Sequence, residues 1–301
     1  MATNDADDRG ARVRRSLLFV PAIRPDRYEK ALATGADAVC VDLEDGVAFG
    51  AKDEARGHAM ALLTDRAPTA AEVSLRINDV KTELGQIDLA TLAQSTARPD
   101  AVMLPKVAGA EELRRVEAAL GSWDAVSLIA QIETAQGVAA AIEIATASPS
   151  VSAVFFGAID LSADLGCAVE WDALLYARSQ VVLAAGVAGV SALDSPFMDV
   201  PALDQLADET RRVRQLGFVG KAAIHPTQVP VIQRAFSPTS EEVEWARKIV
   251  EAYERQSGGV LLVDGQLIER PVIRAAHRTL RVADGHRIKI SARAPARHAG
   301  S

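Results

Sequence analysis

Short apolar runs recur along the chain, each bounded by small or polar residues and followed by a longer stretch of helix-compatible composition. The runs fall at 16–22, 38–44, 72–78, 101–106, 127–132, 151–159, 190–194 and 220–226. Runs this short, apolar at odd and even positions alike, read as parallel strands buried on both faces. Helices are expected from Pro25 to about 34, and over 52–65, 84–94, 110–120, 135–147, 171–185 and 203–216. Pro25 suits the first of them, because a helix start loses nothing by a missing N–H. Strict strand–helix alternation implies a parallel sheet with right-handed crossovers. Eight such units is the count of a closed α/β architecture, the (β/α)8 TIM barrel. An open doubly wound sheet would carry a glycine-rich loop after its first strand, and Val20-Pro-Ala-Ile-Arg-Pro is not one.

The barrel is therefore expected over 14–236, with 1–13 as a disordered start. Beyond it, Glu241 and Glu242 favour the first turn of a helix over 240–255. Asp264-Gly265 between two apolar runs reads as a hairpin. A last helix follows over 271–283, and a basic stretch at 287–301 shows no apolar periodicity and reads as a disordered tail. A helix, hairpin and helix are more than a barrel needs for closure, so 237–286 is expected to form a lid or oligomerisation module.

Composition narrows the function classes. Of 301 residues, 49% are hydrophobic, enough for a large core, and the net charge of −7 argues against a general nucleic-acid binder. The two cysteines, Cys40 and Cys167, lack metal-site spacing. No apolar run approaches the roughly 20 residues of a membrane span, and the polar 1–15 has no signal-peptide character. A cytoplasmic protein without membrane or nucleic-acid partners is expected.

In a (β/α)8 barrel the carboxyl ends of the strands carry the chemistry. Polar residues fall there in number: Arg24, Asp42, Glu44, Asp45, Arg76, Asn78, Lys106, Glu133, Asp160, Asp194 and His225. Glu133 and Asp160 close two successive strands, and two hard oxygen ligands side by side suit Mg²⁺. The competing reading has each carboxylate capping a helix or pairing with a base. Arg76, inside an apolar strand, needs a partner. That partner is either a substrate carboxylate held by its fork or the Asp42–Asp45 cluster.

Leu18-Phe-Val-Pro-Ala-Ile-Arg-Pro-Asp-Arg, Ala36-Asp-Ala-Val-Cys-Val-Asp-Leu-Glu-Asp-Gly-Val, Leu104-Pro-Lys, Ile132-Glu-Thr-Ala-Gln-Gly, Phe156-Gly-Ala-Ile-Asp-Leu and Gly220-Lys-Ala-Ala-Ile-His-Pro-Thr-Gln together resemble the citrate lyase β-subunit-like proteins of the HpcH/HpaI aldolase and malyl-CoA lyase superfamily. The resemblance implies a Mg²⁺-dependent carbon–carbon lyase acting on a 3-hydroxyacyl-CoA of the citramalyl, malyl or citryl type. It further implies a homotrimer or dimer of trimers. By motif, Glu133 and Asp160 correspond to metal ligands, Arg76 to the arginine on the substrate carboxylate and developing enolate, Asp42 to a site acid, and Arg24 to an arginine at the CoA-facing mouth. Glu269 stands where family members with synthase or thioesterase activity carry an aspartate, and Ala22-Ile23 replaces the usual glycine and polar residue. Two alternatives stay open: a CoA-independent aldolase releasing pyruvate or oxaloacetate, and a non-catalytic subunit. Glu269 equally reads as a helix-start acid before Pro271.

Overall fold

A computed structural model describes residues 12–121, 123, 127–255 and 261–293, with side chains described as far as 284. They divide between Phe236 and Ser237 into two compact units. In the first, eight parallel strands close into a barrel in chain order, with β1 paired to β8. The strands are β1 (Ser16–Pro21), β2 (Ala38–Asp42), β3 (Glu72–Arg76), β4 (Ala101–Leu104), β5 (Leu128–Ile132), β6 (Val151–Phe156), β7 (Ser191–Asp194) and β8 (Gly220–Ala223). The helices between them are α1 (Tyr28–Ala33), α2 (Lys52–Asp65), α3 (Glu83–Gln94), α4 (Ala110–Ala119), α5 (Ala135–Ala139), α6 (Ala141–Ala145), α7 (Ala158–Leu165), α8 (Trp171–Ala188), α9 (Leu203–Leu216) and α10 (Gln228–Phe236).

Both strand faces are dry, as the continuous apolar runs require. Leu17, Ala38, Cys40, Met103, Ile129, Ala153, Phe155, Leu193 and Ala222 fill the barrel interior. Their neighbours Leu18, Val39, Val41, Val102, Ala130, Val154, Ala192 and Ala223 face the helices. This period of two decides which strand-end residues reach the mouth. Asp42 continues the inward phase of Ala38 and Cys40, and Glu133 that of Ile129. Two buried ion pairs, Arg14–Glu72 at 2.5 Å and Arg15–Asp37 at 2.8 Å, involve residues at the strands' amino ends, the face that stabilises such barrels rather than catalysing.

Several expected bounds shift. The first helix opens with a 3-10 turn, Pro25–Arg27, before α1. The single helix expected over 135–147 is broken at Ala140, which separates α5 from α6. The helices α7 and α10 were not foreseen, and β6 ends at Phe156, so Asp160 lies in the first turn of α7 instead of on the strand.

In the second unit, α11 (Ser240–Arg255), the strand pair β9 (Leu261–Val263) and β10 (Gln266–Ile268), and α12 (Arg270–Arg293) share a small core of Ala246, Ile249, Leu261, Val263, Ile268, Ile273 and Ala276. Asp264 and Gly265 link the strands at φ 49° and 78°, the two positive values a tight hairpin turn demands. Leu262 and Leu267 pair across the hairpin on its opposite face and are exposed. The last helix runs to Arg293, ten residues beyond the end expected for it. Residues 294–301, and 1–11 of the expected disordered start, lie outside the described residues.

Candidate active site

The carboxyl ends of the strands surround a cavity of about 880 Å³ lined by Phe19, Arg24, Arg27, Lys30, Asp42, Asp45, Arg76, Gln131, Glu133, Phe155, Gly157, Asp160 and His225, among others. Its floor is aromatic: Phe19 and Phe155 meet edge to face at 6.0 Å. The Arg76 guanidinium lies 4.7 Å over the Phe19 ring.

Arg76 ends β3, opposite Asp42 in the register of β2. Its Nε and Nη2 donate to the two Asp42 oxygens at 2.6 and 2.7 Å. Asp42 also accepts from the backbone N–H groups of Glu44 and Gly46, both at 2.9 Å. Burial alone would raise its pKa, but the charge and hydrogen bonds of Arg76, with the two backbone donors, carry it below the usual carboxylate value. Asp42 is thus ionised and saturated with donors. The Arg76 fork is engaged by the acidic cluster, the second of the two partners its position allowed. Its remaining nitrogen, Nη1, stands 2.9 Å from Glu44 Oε2. That oxygen has charge contact but no aligned hydrogen bond.

Glu133 follows β5 directly and is 1% exposed. Its Oε1 accepts from the Lys106 backbone N–H at 2.9 Å and its Oε2 from the Gln131 side-chain amide. Space for it is made by Gly157, where a Cβ would collide with the Glu133 side chain. Burial, then the negative charges of Glu44 and Asp160, push the Glu133 carboxyl up to about 8, with Lys106 and Gln131 opposing only in part. Burial likewise raises Glu44 against the pull of Arg76 and Lys106. Asp160 has a half-exposed side chain, 3.6 Å from Lys106 Nζ.

Lys106 itself takes a positive φ of 53° and pairs its ammonium with Glu44. Burial disfavours that charge, but the hydrogen bond and charge of Glu44, with Glu133 and Asp45, raise its pKa overall. Lys52 Nζ closes the back of the cluster, donating to the Leu43 and Glu44 carbonyls at 2.7 Å each and to Asn78 at 2.8 Å.

With all five carboxylates ionised, as a bound cation would hold them, Asp42, Glu44, Asp45, Glu133 and Asp160 face Arg76, Lys106 and Lys52 with two uncompensated negative charges; without a cation the raised Glu133 carboxyl keeps its proton. One divalent cation balances them. Buried Gln131 Oε1, without a hydrogen-bond partner, supplies a further hard oxygen beside Glu133. Among the described residues no group of three or more His, Cys, Asp or Glu side chains is arranged to hold a metal. Two carboxylates, with other positions left to water and substrate, are the pattern Mg²⁺ takes.

Other expected residues separate. Arg24 lines the cavity but is tied to Asp26 by two bonds of 2.8 Å. Beside it, Arg27 and Lys30 line the same end, and their side chains have no hydrogen-bonded partner among the described residues. Asp194 turns away from the mouth into a buried cluster, 2.5 Å from Lys221 Nζ and 3.1 Å from Arg178 Nε. His225 is exposed and bonded to Thr227 at 2.8 Å. Glu269 belongs to the second unit. It is exposed, and its carbonyl accepts from Val272 and Ile273 at the start of α12. The sequence pattern places Lys106 at the mouth without giving it a role, and does not single out Arg27, Lys30, Gln131 or Gly157. Arg27 and Lys30 continue the Arg24 motif along one turn, and Gly157 sits in the motif that carries Asp160, but their contacts have no local signal.

The HpcH/HpaI aldolase/citrate lyase family model matches residues 15–226. The mitochondrial citramalyl-CoA lyase of Mus musculus is 33% identical over 290 residues, covering 90% of this chain and 86% of that protein. The citrate lyase subunit beta of Escherichia coli strain K12 is 34% identical over 297 residues, covering 94% and 98%. A solved structure of the protein CitE from Mycobacterium tuberculosis in complex with magnesium, acetoacetate and coenzyme A superposes with a TM-score of 0.74 at 33% identity, covering 91% of this chain and 99% of that one.

Proposed function

The chain belongs to the HpcH/HpaI aldolase/citrate lyase family, and from that premise we propose that it is a Mg²⁺-dependent carbon–carbon lyase cleaving a 3-hydroxyacyl-CoA to an acyl-CoA and a 2-oxo acid or glyoxylate. One observation carries the reading. A single cavity joins an acidic cluster, two positive charges short when fully ionised, to a basic end formed by Arg24, Arg27 and Lys30. The first suits a divalent ion with a hydroxy-acid head, and the second suits the phosphates of a CoA tail. The relatives named above act on citramalyl-CoA or are citrate lyase subunits, and the neighbouring structure holds magnesium with coenzyme A.

Glu133 and Asp160 would hold the ion, and Gln131 supports Glu133. When bound, Mg²⁺ supplies Lewis-acid polarisation of the substrate's oxygens. The protein's own residues do the rest. Arg76, clamped by Asp42, presents a fixed positive charge where the enolate develops. A preorganised donor of that kind contributes about 3 kcal/mol to transition-state stabilisation. In the cleavage direction the C3 hydroxyl gives its proton to a carboxylate of the mouth, for which Asp45 on the cavity lining is placed, the bond between the hydroxyl carbon and the thioester α-carbon breaks, and its electron pair becomes the enolate. Return of that proton to the α-carbon gives the acyl-CoA. Asp42, ionised and saturated with donors, orients Arg76 and does not carry that proton. The aromatic floor of Phe19 and Phe155 keeps water from beneath the reacting carbons.

Assembly into a homotrimer or dimer of trimers, with Glu269 of a second copy delivered near the thioester, is supported by the exposed Leu262–Leu267 pair two residues from it. A cytoplasmic site is supported by two free cysteines, and no helix among the described residues is long and apolar enough to cross a membrane.

The test is a screen of citramalyl-, malyl- and citryl-CoA with Mg²⁺, following free pyruvate, glyoxylate or oxaloacetate. Calorimetry with CoA separates the second reading, a CoA-independent aldolase, which the Arg24–Asp26 pairing favours. Absence of CoA binding together with cleavage of a free hydroxy-oxo acid would decide for it.

A further inference from the structure

Lys106 touches both residues assigned to the metal. Its backbone N–H donates to Glu133 Oε1 at 2.9 Å, and its Nζ lies 3.6 Å from Asp160 Oδ2 while bonded to Glu44. The geometry depends on an unusual backbone. Lys106 is one of two non-glycine residues with positive φ among those described, and the other sits in the β9–β10 turn. A side-chain-bearing residue stays in that region only where its surroundings hold it there. Here the holding groups are Glu133 on the N–H, Lys81 Nζ on the carbonyl at 2.6 Å, and the acidic cluster on the ammonium.

We propose that Lys106 is a resident cation that competes with the divalent ion for Asp160 and thereby sets the metal affinity of the site, coupling it to arrival of the acid substrate. The inference rests on the metal site proposed above. The other cations of the cluster do not stand in this position. Arg76 is committed to Asp42 and Glu44, and Lys52 is held by two carbonyls and an amide oxygen. A divalent ion held by Glu133 and Asp160 must therefore take Asp160 from the Lys106 ammonium and then stand within a few ångströms of its charge. That repulsion weakens binding of the bare ion. A 2-oxo or 2-hydroxy acid chelating the ion brings a carboxylate to which the displaced ammonium can turn, so ion and acid bind better together than either alone.

The experiment is titration calorimetry of Mg²⁺ into the full chain, with and without pyruvate, for the wild type, Lys106→Met and Lys106→Arg. Removing one like charge a few ångströms from a divalent ion in a water-accessible mouth is expected to tighten bare Mg²⁺ binding about tenfold. Lys106→Arg, which keeps the charge, should stay within about twofold of wild type. Pyruvate should strengthen Mg²⁺ binding to the wild type by a larger factor than to Lys106→Met. Should Lys106→Met fail to fold, Lys106→Asn replaces it, since asparagine tolerates positive φ. Equal or weaker Mg²⁺ binding in the neutral variants, or the same tightening in Lys106→Arg, would overturn the inference. A wild-type protein that binds no Mg²⁺ would remove the metal site itself, which is a separate outcome.

Discussion

Replacing Arg76 by lysine keeps the charge and discards the fork, so it isolates what the paired geometry contributes. In the wild type, Nε and Nη2 each hold one Asp42 oxygen, at 2.6 and 2.7 Å, and Nη1 stands beside Glu44. A lysine ammonium can keep one of the Asp42 contacts. The lost charge-assisted hydrogen bond is worth about 1.5–3 kcal/mol, and neither Asp42 oxygen is left unpaired, since one keeps the Glu44 N–H and the other the Gly46 N–H. A net loss of about 2 kcal/mol is expected. For a barrel of this size each kcal/mol corresponds to about 2–4 °C, so the barrel transition should fall by about 4–8 °C in differential scanning calorimetry. The same change lets the cation drift by about 1 Å from the developing enolate, a displacement that costs about 100-fold in kcat/KM. The two readouts are separable. A Tm within 1 °C of wild type would refute the buried fork (about 0.5 kcal/mol at most on that scale). An unchanged kcat/KM on an active acyl-CoA would remove Arg76 from the chemistry while leaving it in the fold.

Glu133→Gln and Asp160→Asn should each abolish Mg²⁺-dependent cleavage while preserving the circular dichroism spectrum, and undiminished Mg²⁺ affinity in both would refute shared ligation. The Glu133 carboxyl rises from 4.5 to about 8, so the folded metal-free protein binds a proton there that the unfolded chain does not. Stability of the metal-free form should therefore decline as pH rises from about 4.5 to about 8, while Mg²⁺ affinity climbs up to about tenfold per pH unit and levels above about 8. Glu133→Gln should flatten the stability trend. Glu269→Asp should raise thioester hydrolysis if Glu269 serves a neighbouring subunit. Unchanged hydrolysis, or a strict monomer by light scattering, would leave it a helix-start acid.

The eight-unit barrel was legible because both faces of each strand are buried, and period-free apolar runs followed by helices have few other solutions. The hairpin was legible from Asp264-Gly265, whose positive φ pair is a local requirement. What escaped was phase and partnership. Asp194 ends a strand as Asp42 does, yet points outward, because one step along a strand reverses the face; Lys221 and Arg178, distant in sequence, are what receive it. Asp160 looked like a strand terminus because α7 begins within the same apolar stretch. For Arg76 the two partners were both visible, and only the closed register of β2 on β3 decides for Asp42. Lys106 was beyond reach, since neither its positive φ nor its three-way contact follows from its neighbours in the chain.

Gly157 carries a historical consequence. Its backbone, at φ −104° and ψ 101°, is open to any amino acid, so nothing in the chain's own geometry asks for glycine. The demand comes from a different residue, the Glu133 side chain, whose Cβ as well as its carboxylate occupies the volume a side chain at 157 would need. The two positions are therefore contingent on each other. Because every side chain begins with a Cβ, replacing the glutamate by any residue but glycine leaves the conflict in place. The constraint at 157 thus outlasts the carboxylate: a lineage that abandoned the ion would still hold the space open, and restoring the glutamate would take a single substitution.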